Sequence, residues 1–227
     1  MAIRVTDTEK GVRTSNRYRF LRRPCEGWIE SMVEYHATIR ARYAGVDDWP
    51  FWYGERPLTG FLAAGIREAG GVAIEEFSTN KRAHQSDGND RAYLGRGDPY
   101  YCIGKHDANI EFKLDDLGIG ATHEGSSFIA RKKWEATLGD ARDGHTPGIP
   151  SLGGLFLRTY IGKGRDPDFY RLNLASALES AWNALQPDAL AWWCPIDRAL
   201  RSDKSTKNLI VGVVLLMKHA KGRKPAA

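Results

Sequence analysis

The chain is poor in cysteine: Cys25, Cys102 and Cys194 are its only three, widely separated and without a CxxC pair. Such an odd, scattered set excludes a disulfide framework and a zinc knuckle, and all three read as reduced thiols. Long apolar runs are also missing. The longest, Leu209 to Met217, covers about half the length that a bilayer crossing requires, and the first residues lack the apolar core of a secretory signal. The expectation is a cytoplasmic protein with no membrane contact. Phosphate loops are incomplete, because Gly118-Ile119-Gly120 and Gly162-Lys163-Gly164 lack the full Gly/Lys/Ser-Thr spacing. Ser126-Ser127 lacks the strand-turn-helix setting of a serine nucleophile. His36, His84, His106, His123, His145 and His219 are scattered without metal-ligand spacing, and no zinc finger or helix-turn-helix is evident.

What is present is an ordinary folding composition. With 227 residues, 42% hydrophobic and 27% charged, the chain supports one core and argues against disorder. We expect a single domain over 1–227, with an irregular basic arm at 1–24 and a frayed basic tail at 218–227. Lys and Arg number 33 against 28 Asp and Glu, a formal charge of +5. That mild excess favours contact with phosphate backbones without requiring it.

Periodicity predicts the elements. Trp28, Ile29, Met32, Val33, Ile39 and Tyr43 recur at helical spacing over 26–44, and Leu58, Phe61, Leu62 and Ile66 do so between Pro57 and Gly70. Strands are expected at 72–78, 98–104 and 108–114, with a polar loop at 79–90 and the last two strands joined through Lys105, His106 and Asp107. A helix over 126–138, a Gly/Pro/Ser-rich loop over 139–154, a strand over 155–161 and a helix over 168–185 follow. Strands at 190–194 and 209–217 close the series. This order predicts an α+β fold in the broad α/β class, a mixed central sheet flanked by helices. Of the aromatic groups, Trp49, Phe51, Trp52, Tyr53 and Trp192-Trp193 suit the core better than base stacking.

The informative segment is Gly97-Asp98-Pro99-Tyr100-Tyr101-Cys102-Ile103-Gly104, followed by Ile110-Glu111-Phe112-Lys113. Alternate strand residues share a face, so Glu111 and Lys113 project together while Ile110 and Phe112 point to the core. If the two strands pair, Asp98 lies beside Glu111, and two hard oxygen donors suit Mg²⁺, with Mn²⁺ as a substitute. Phosphodiester hydrolysis needs such an ion to polarise the phosphoryl oxygen and lower the pKa of a bound water, and a cation to orient the nucleophile. The plainer reading is a surface Glu–Lys pair on a half-exposed strand, with Asp98-Pro99 starting a turn.

Between 55 and 138 the pattern resembles the PD-(D/E)xK nuclease superfamily, which has the restriction-endonuclease-like fold. There a helix precedes a three-stranded meander, and the acidic residue and the E-x-K triplet sit on its second and third strands. The resemblance implies a nuclease acting on nucleic acid, with DNA as the expected partner. It implies Asp98, Glu111 and Lys113 as the catalytic set and Asp98 and Glu111 as metal ligands. Glu55, just before Pro57, is the candidate for a further ligand from the preceding helix, with Glu75 and Glu76 as alternatives. Gly97 stands before Asp98 where the family pattern has Pro, and Pro99 follows it. A non-catalytic nucleic-acid or protein-binding module on the same fold is the alternative, and a small-molecule hydrolase is a third class.

Overall fold

Alternation of apolar residues along the strands decides the architecture. Along Ala189–Trp193 the side chains of Ala189, Ala191 and Trp193 enter one core and those of Leu190 and Trp192 enter another. A sheet buried on both faces needs helices on both faces. The computed structural model describes residues 9–43, 46, 48–75, 77–83, 91–97, 99–120, 123–144, 148–162, 167–195 and 208–220. Its strands and helices run in the order β1 (Lys10–Thr14), α1 (Arg22–Arg42), α2 (Glu55–Glu68), β2 (Val72–Ile74), β3 (Phe77–Ala83), β4 (Arg91–Gly97), β5 (Tyr100–Ile103), β6 (His106–Gly118), α3 (His123–Asp143), β7 (Ser151–Gly162), α4 (Pro167–Leu185), β8 (Ala189–Trp193) and β9 (Asn208–His219). Seven strands form one sheet in the order β1-β8-β9-β7-β6-β5-β2, and β3 pairs with β4 alone. The α+β fold with a mixed sheet is therefore present. Its one parallel pair, β6 with β7, is made possible by the α3 crossover, since parallel neighbours cannot be joined by a tight turn.

Helices α1 and α2 cover one face with Cys25, Trp28, Met32, Leu58, Leu62 and Ile66 fully buried. They approach backbone to backbone, for a Cβ on Gly27 would lie 2.7 Å from the Gly65 Cα. Trp28 Nε1 donates to the Leu58 carbonyl at 3.2 Å and locks the pair. Helices α3 and α4 cover the opposite face through Trp134, Tyr170, Leu174 and Leu178, and Trp134 Nε1 donates to the Leu185 carbonyl at 3.0 Å. Trp49, Phe51, Trp192 and Trp193 are all buried, as expected of core aromatics, whereas Tyr53 is exposed. The three cysteines carry no disulfide. Among the described residues no helix is long and apolar enough to cross a membrane.

Several sequence expectations need correction. Residues 10–24 are not an irregular arm: β1 is an edge strand on β8, and Arg13 ties it to α4 by contacts of 3.2 Å to Glu179 and by lying 4.1 Å from the Trp182 ring centroid. Pro24 falls in the first turn of α1, where a missing N–H costs nothing. Lys218 and His219 belong to β9, opposite Gly153 and Leu152, so only 221–227 of the expected tail lies outside the described residues. Of the expected loop at 79–90, residues 79–83 are strand, part of β3, which pairs with β4 at 91–97, and 84–90 lie outside the described residues. The loop expected at 139–154 is helix to Asp143 and strand from Ser151. The β5–β6 connection is Gly104-Lys105 alone, with Gly104 at φ +58°, the first-position glycine that a two-residue hairpin favours.

Candidate active site

Ile110 and Phe112 are each 2% exposed within the core beneath α1 and α2. Glu111 and Lys113 therefore share the opposite face, as the sequence predicted, and that face is the one α3 covers. Beside them on β7 stand Gly153, level with Glu111, and Leu155, level with Lys113. Gly153 is bare because α3 rests directly on it: a Cβ there would meet Leu138 Cδ2 at 2.8 Å and Thr137 Cγ2 at 3.3 Å. This close approach brings the end of α3 over β6. Lys113 Nζ consequently lies 2.5 Å from Asp140 Oδ2 and 3.9 Å from Glu111 Oε1.

Glu55 enters from a third element. It occupies the first turn of α2, where the helix N-terminus favours a negative charge, and it is close enough to act on Lys113 electrostatically. Burial works against the Lys113 charge. The hydrogen bond and charge of Asp140, followed by the charges of Glu111 and Glu55, outweigh that penalty and hold the ammonium pKa above its ordinary value. Lys113 is thus a permanent cation at neutral pH, a hydrogen-bond donor and not a base. The Glu111 side chain is only 16% exposed, so its carboxylate is held within the site.

Of the residues singled out from sequence, the structure brings Glu111 and Lys113 together, and the charge of Glu55 acts on Lys113. Asp98 lies outside the described residues, as does Glu76. The described pairing of β5 with β6 ends where the Ile110 N–H donates to the Pro99 carbonyl at 2.9 Å. Glu75 is engaged elsewhere, 3.2 Å from Arg67. Asp107 is not in a turn but paired with Cys102 in the ladder. His106, also in the strand and not in the connection, stacks on Phe20 with ring centroids 4.1 Å apart, a packing role. Asp140 is the residue that sequence reasoning missed. Its signal was the buried series Ala130, Trp134, Thr137 and Ala141, which carries helical period straight through Gly139.

Carboxylate oxygens with no soft ligand suit Mg²⁺ or Mn²⁺. Among the described residues no three His, Cys, Asp or Glu side chains converge as a metal-binding group. Mg²⁺ does not demand three, because it keeps several waters and is commonly held by one or two carboxylates and the substrate's phosphate. Glu111 and Glu55 are the described residues that would hold it. Comparison with protein-family models, with curated proteins and with solved structures returns no match.

Proposed function

We propose that this protein is a metal-dependent nuclease of the PD-(D/E)xK type, with a restriction-endonuclease-like fold, that hydrolyses phosphodiester bonds of DNA. The observation that carries the reading is the Glu111–Lys113 pair on β6, with Asp140 of α3 against the lysine and the charge of Glu55 in the first turn of α2 acting on it. Element order supports it: α2 precedes an antiparallel series β2, β5, β6, with Asp98 just before the second of these strands and Glu111-x-Lys113 on the third. The reading goes with a cytoplasmic location and no membrane contact.

A bound Mg²⁺ or Mn²⁺ would supply Lewis acidity and a water of lowered pKa. Glu111, Glu55 and Asp98 supply oxygen donors. The Lys113 ammonium, kept charged by its three carboxylate neighbours, donates to the attacking water or to the developing phosphorane charge. Asp140 fixes where that ammonium sits. The competing reading, a non-catalytic nucleic-acid or protein-binding module, draws on the same 2.5 Å contact, which already occupies the lysine.

The test is cleavage of single- and double-stranded DNA by purified protein with Mg²⁺ or Mn²⁺, alongside Lys113→Ala and Glu111→Gln. The expected outcome is metal-dependent cutting that falls by roughly a hundredfold or more in both variants, with unchanged thermal unfolding. Absence of cutting on every substrate, together with no binding of Mg²⁺, would favour the binding module.

A further inference from the structure

The ribbon of β3 and β4 has no assigned part in the site. Between the last β2–β5 rung, Ile74 with Tyr100, and the first β3–β4 rung, Phe77 with Gly97, each strand advances by the same number of residues. The described rungs of the two ladders therefore share one register, that of a single hairpin, with 76 and 98 outside the described residues. Its near half is held in the sheet, because β5 pairs with β6 on its other side. Its far half pairs with no third strand among the described residues. The hairpin thus leaves the sheet beside the β5–β6 rung of Pro99 and Ile110, next to Glu111 in the chain.

Its composition is one-sided. The two strands carry Lys81, Arg82, Arg91 and Arg96 and no acidic residue, whereas Asp87 and Asp90 belong to the connecting residues 84–90, outside those described. By strand alternation and register, Arg82 and Arg96 share one face and Lys81 and Arg91 the other. An isolated two-stranded ribbon is marginal in water, and like charges make it more so. Seven rungs at about 3.3 Å each give a length of roughly 20 Å. A two-stranded ribbon of that kind fits the major groove of B-DNA, whose two walls are phosphate.

We infer that the β3–β4 ribbon, with basic positions on both faces of its ladder, is a docking arm that lies along the major groove of duplex DNA, its root bringing the backbone toward Glu111 and Lys113. The inference deepens the nuclease reading, on which the choice of duplex DNA rests. Phosphate contacts of this sort position a substrate without reading its sequence.

The experiment is fluorescence anisotropy of a labelled duplex with the full chain in EDTA, across a salt series. Wild type is compared with the quadruple variant Lys81→Ala, Arg82→Ala, Arg91→Ala, Arg96→Ala, and circular dichroism verifies that both are folded. The expected result is at least about tenfold weaker binding by the variant, and a log Kd against log salt slope smaller by up to about 3.6, near 0.9 for each lost phosphate contact. Equal affinity and slope would overturn the inference, as would failure of the wild type to bind duplex. Tighter binding of wild type to labelled polyglutamate, lost in the variant, would overturn it in favour of an acidic protein partner. Because binding is read without metal, ribbon-dependent binding by a protein that never cuts refutes the nuclease reading and supports the arm. Metal-dependent cutting with unaltered binding by the variant does the reverse.

Discussion

Asp140→Asn isolates the contact that holds Lys113. At 2.5 Å from Asp140 and 3.9 Å from Glu111, Coulomb's law with the dielectric constant of water gives about 1.7 and 1.1 kcal/mol. Both are reduced, because the Asp140 side chain is 48% exposed, salt screens it, and burial penalises the lysine. The coupling left between Lys113 and Asp140 is about 0.5–1 kcal/mol. A double-mutant cycle of Asp140→Asn and Lys113→Met, read by urea unfolding at pH 7, measures it directly. The sign with pH is determined too: a lysine whose folded pKa is raised contributes stability that is complete below its unfolded value, near 10.4, and is lost as pH rises through the folded value. The cycle repeated in strong alkali should therefore collapse. Under the proposed nuclease reading, Asp140→Asn is expected to lower kcat about tenfold with KM unchanged, because the ammonium stays charged but is no longer held in place. A coupling indistinguishable from zero at pH 7 would refute the account of Asp140, whatever the protein's activity.

Two further outcomes test the packing around the site. Gly154→Ala places a Cβ against the Phe112 ring, which is 2% exposed and stacked on Phe156 at a centroid distance of 4.8 Å. The expected cost is about 3 kcal/mol, or a Tm lower by about 6–12 °C for a chain of this size. Adding Phe112→Leu should recover much of it, and an unchanged Tm would disprove the contact. Burial pushes the Cys194 thiol up to about 11 and the Cys25 thiol higher still, so alkylation at pH 8 should label Cys102 alone in the native protein. Because the unfolded thiols ionise first, stability should fall as pH rises from about 8.5; labelling of Cys194 at the rate of a free thiol would contradict its burial.

The helices and the central strands were legible because their patterns are made by burial. The 168–185 helix and the strands near 190 and 209 emerge close to their sequence-based bounds, since the buried faces of α4, β8 and β9 impose the periods that sequence reading detects. Elements whose reason for existing lies elsewhere in the chain were not legible. β1 has one strongly apolar residue, Val12, and exists because β8 offers it an edge. The start of β7 reads as loop because Gly153 and Gly154 are small, yet they are small because Leu138 and Phe112 occupy the space their side chains would take. Asp140 was lost for a related reason: Gly139 suggests a helix stop, but it lies on the outer side of α3, where a Cβ would meet nothing.

The site follows the same division. That Glu111 and Lys113 share a face needs only the two-residue period of a strand, so it could be read in advance. What surrounds them depends on two packing distances that no local pattern records. Gly153 lets α3 settle onto β7 and so brings Asp140 to Lys113. The glycine contact between α1 and α2 fixes the layer from which Glu55 acts on the same ammonium. Lys113 thus contacts carboxylates from β6 and α3, with the charge of Glu55 on α2 acting on it as well. A surface ion pair on a half-exposed strand needs neither the helix start at Glu55 nor the partial burial of Glu111; under the proposed nuclease reading both would serve to hold a divalent cation beside the lysine.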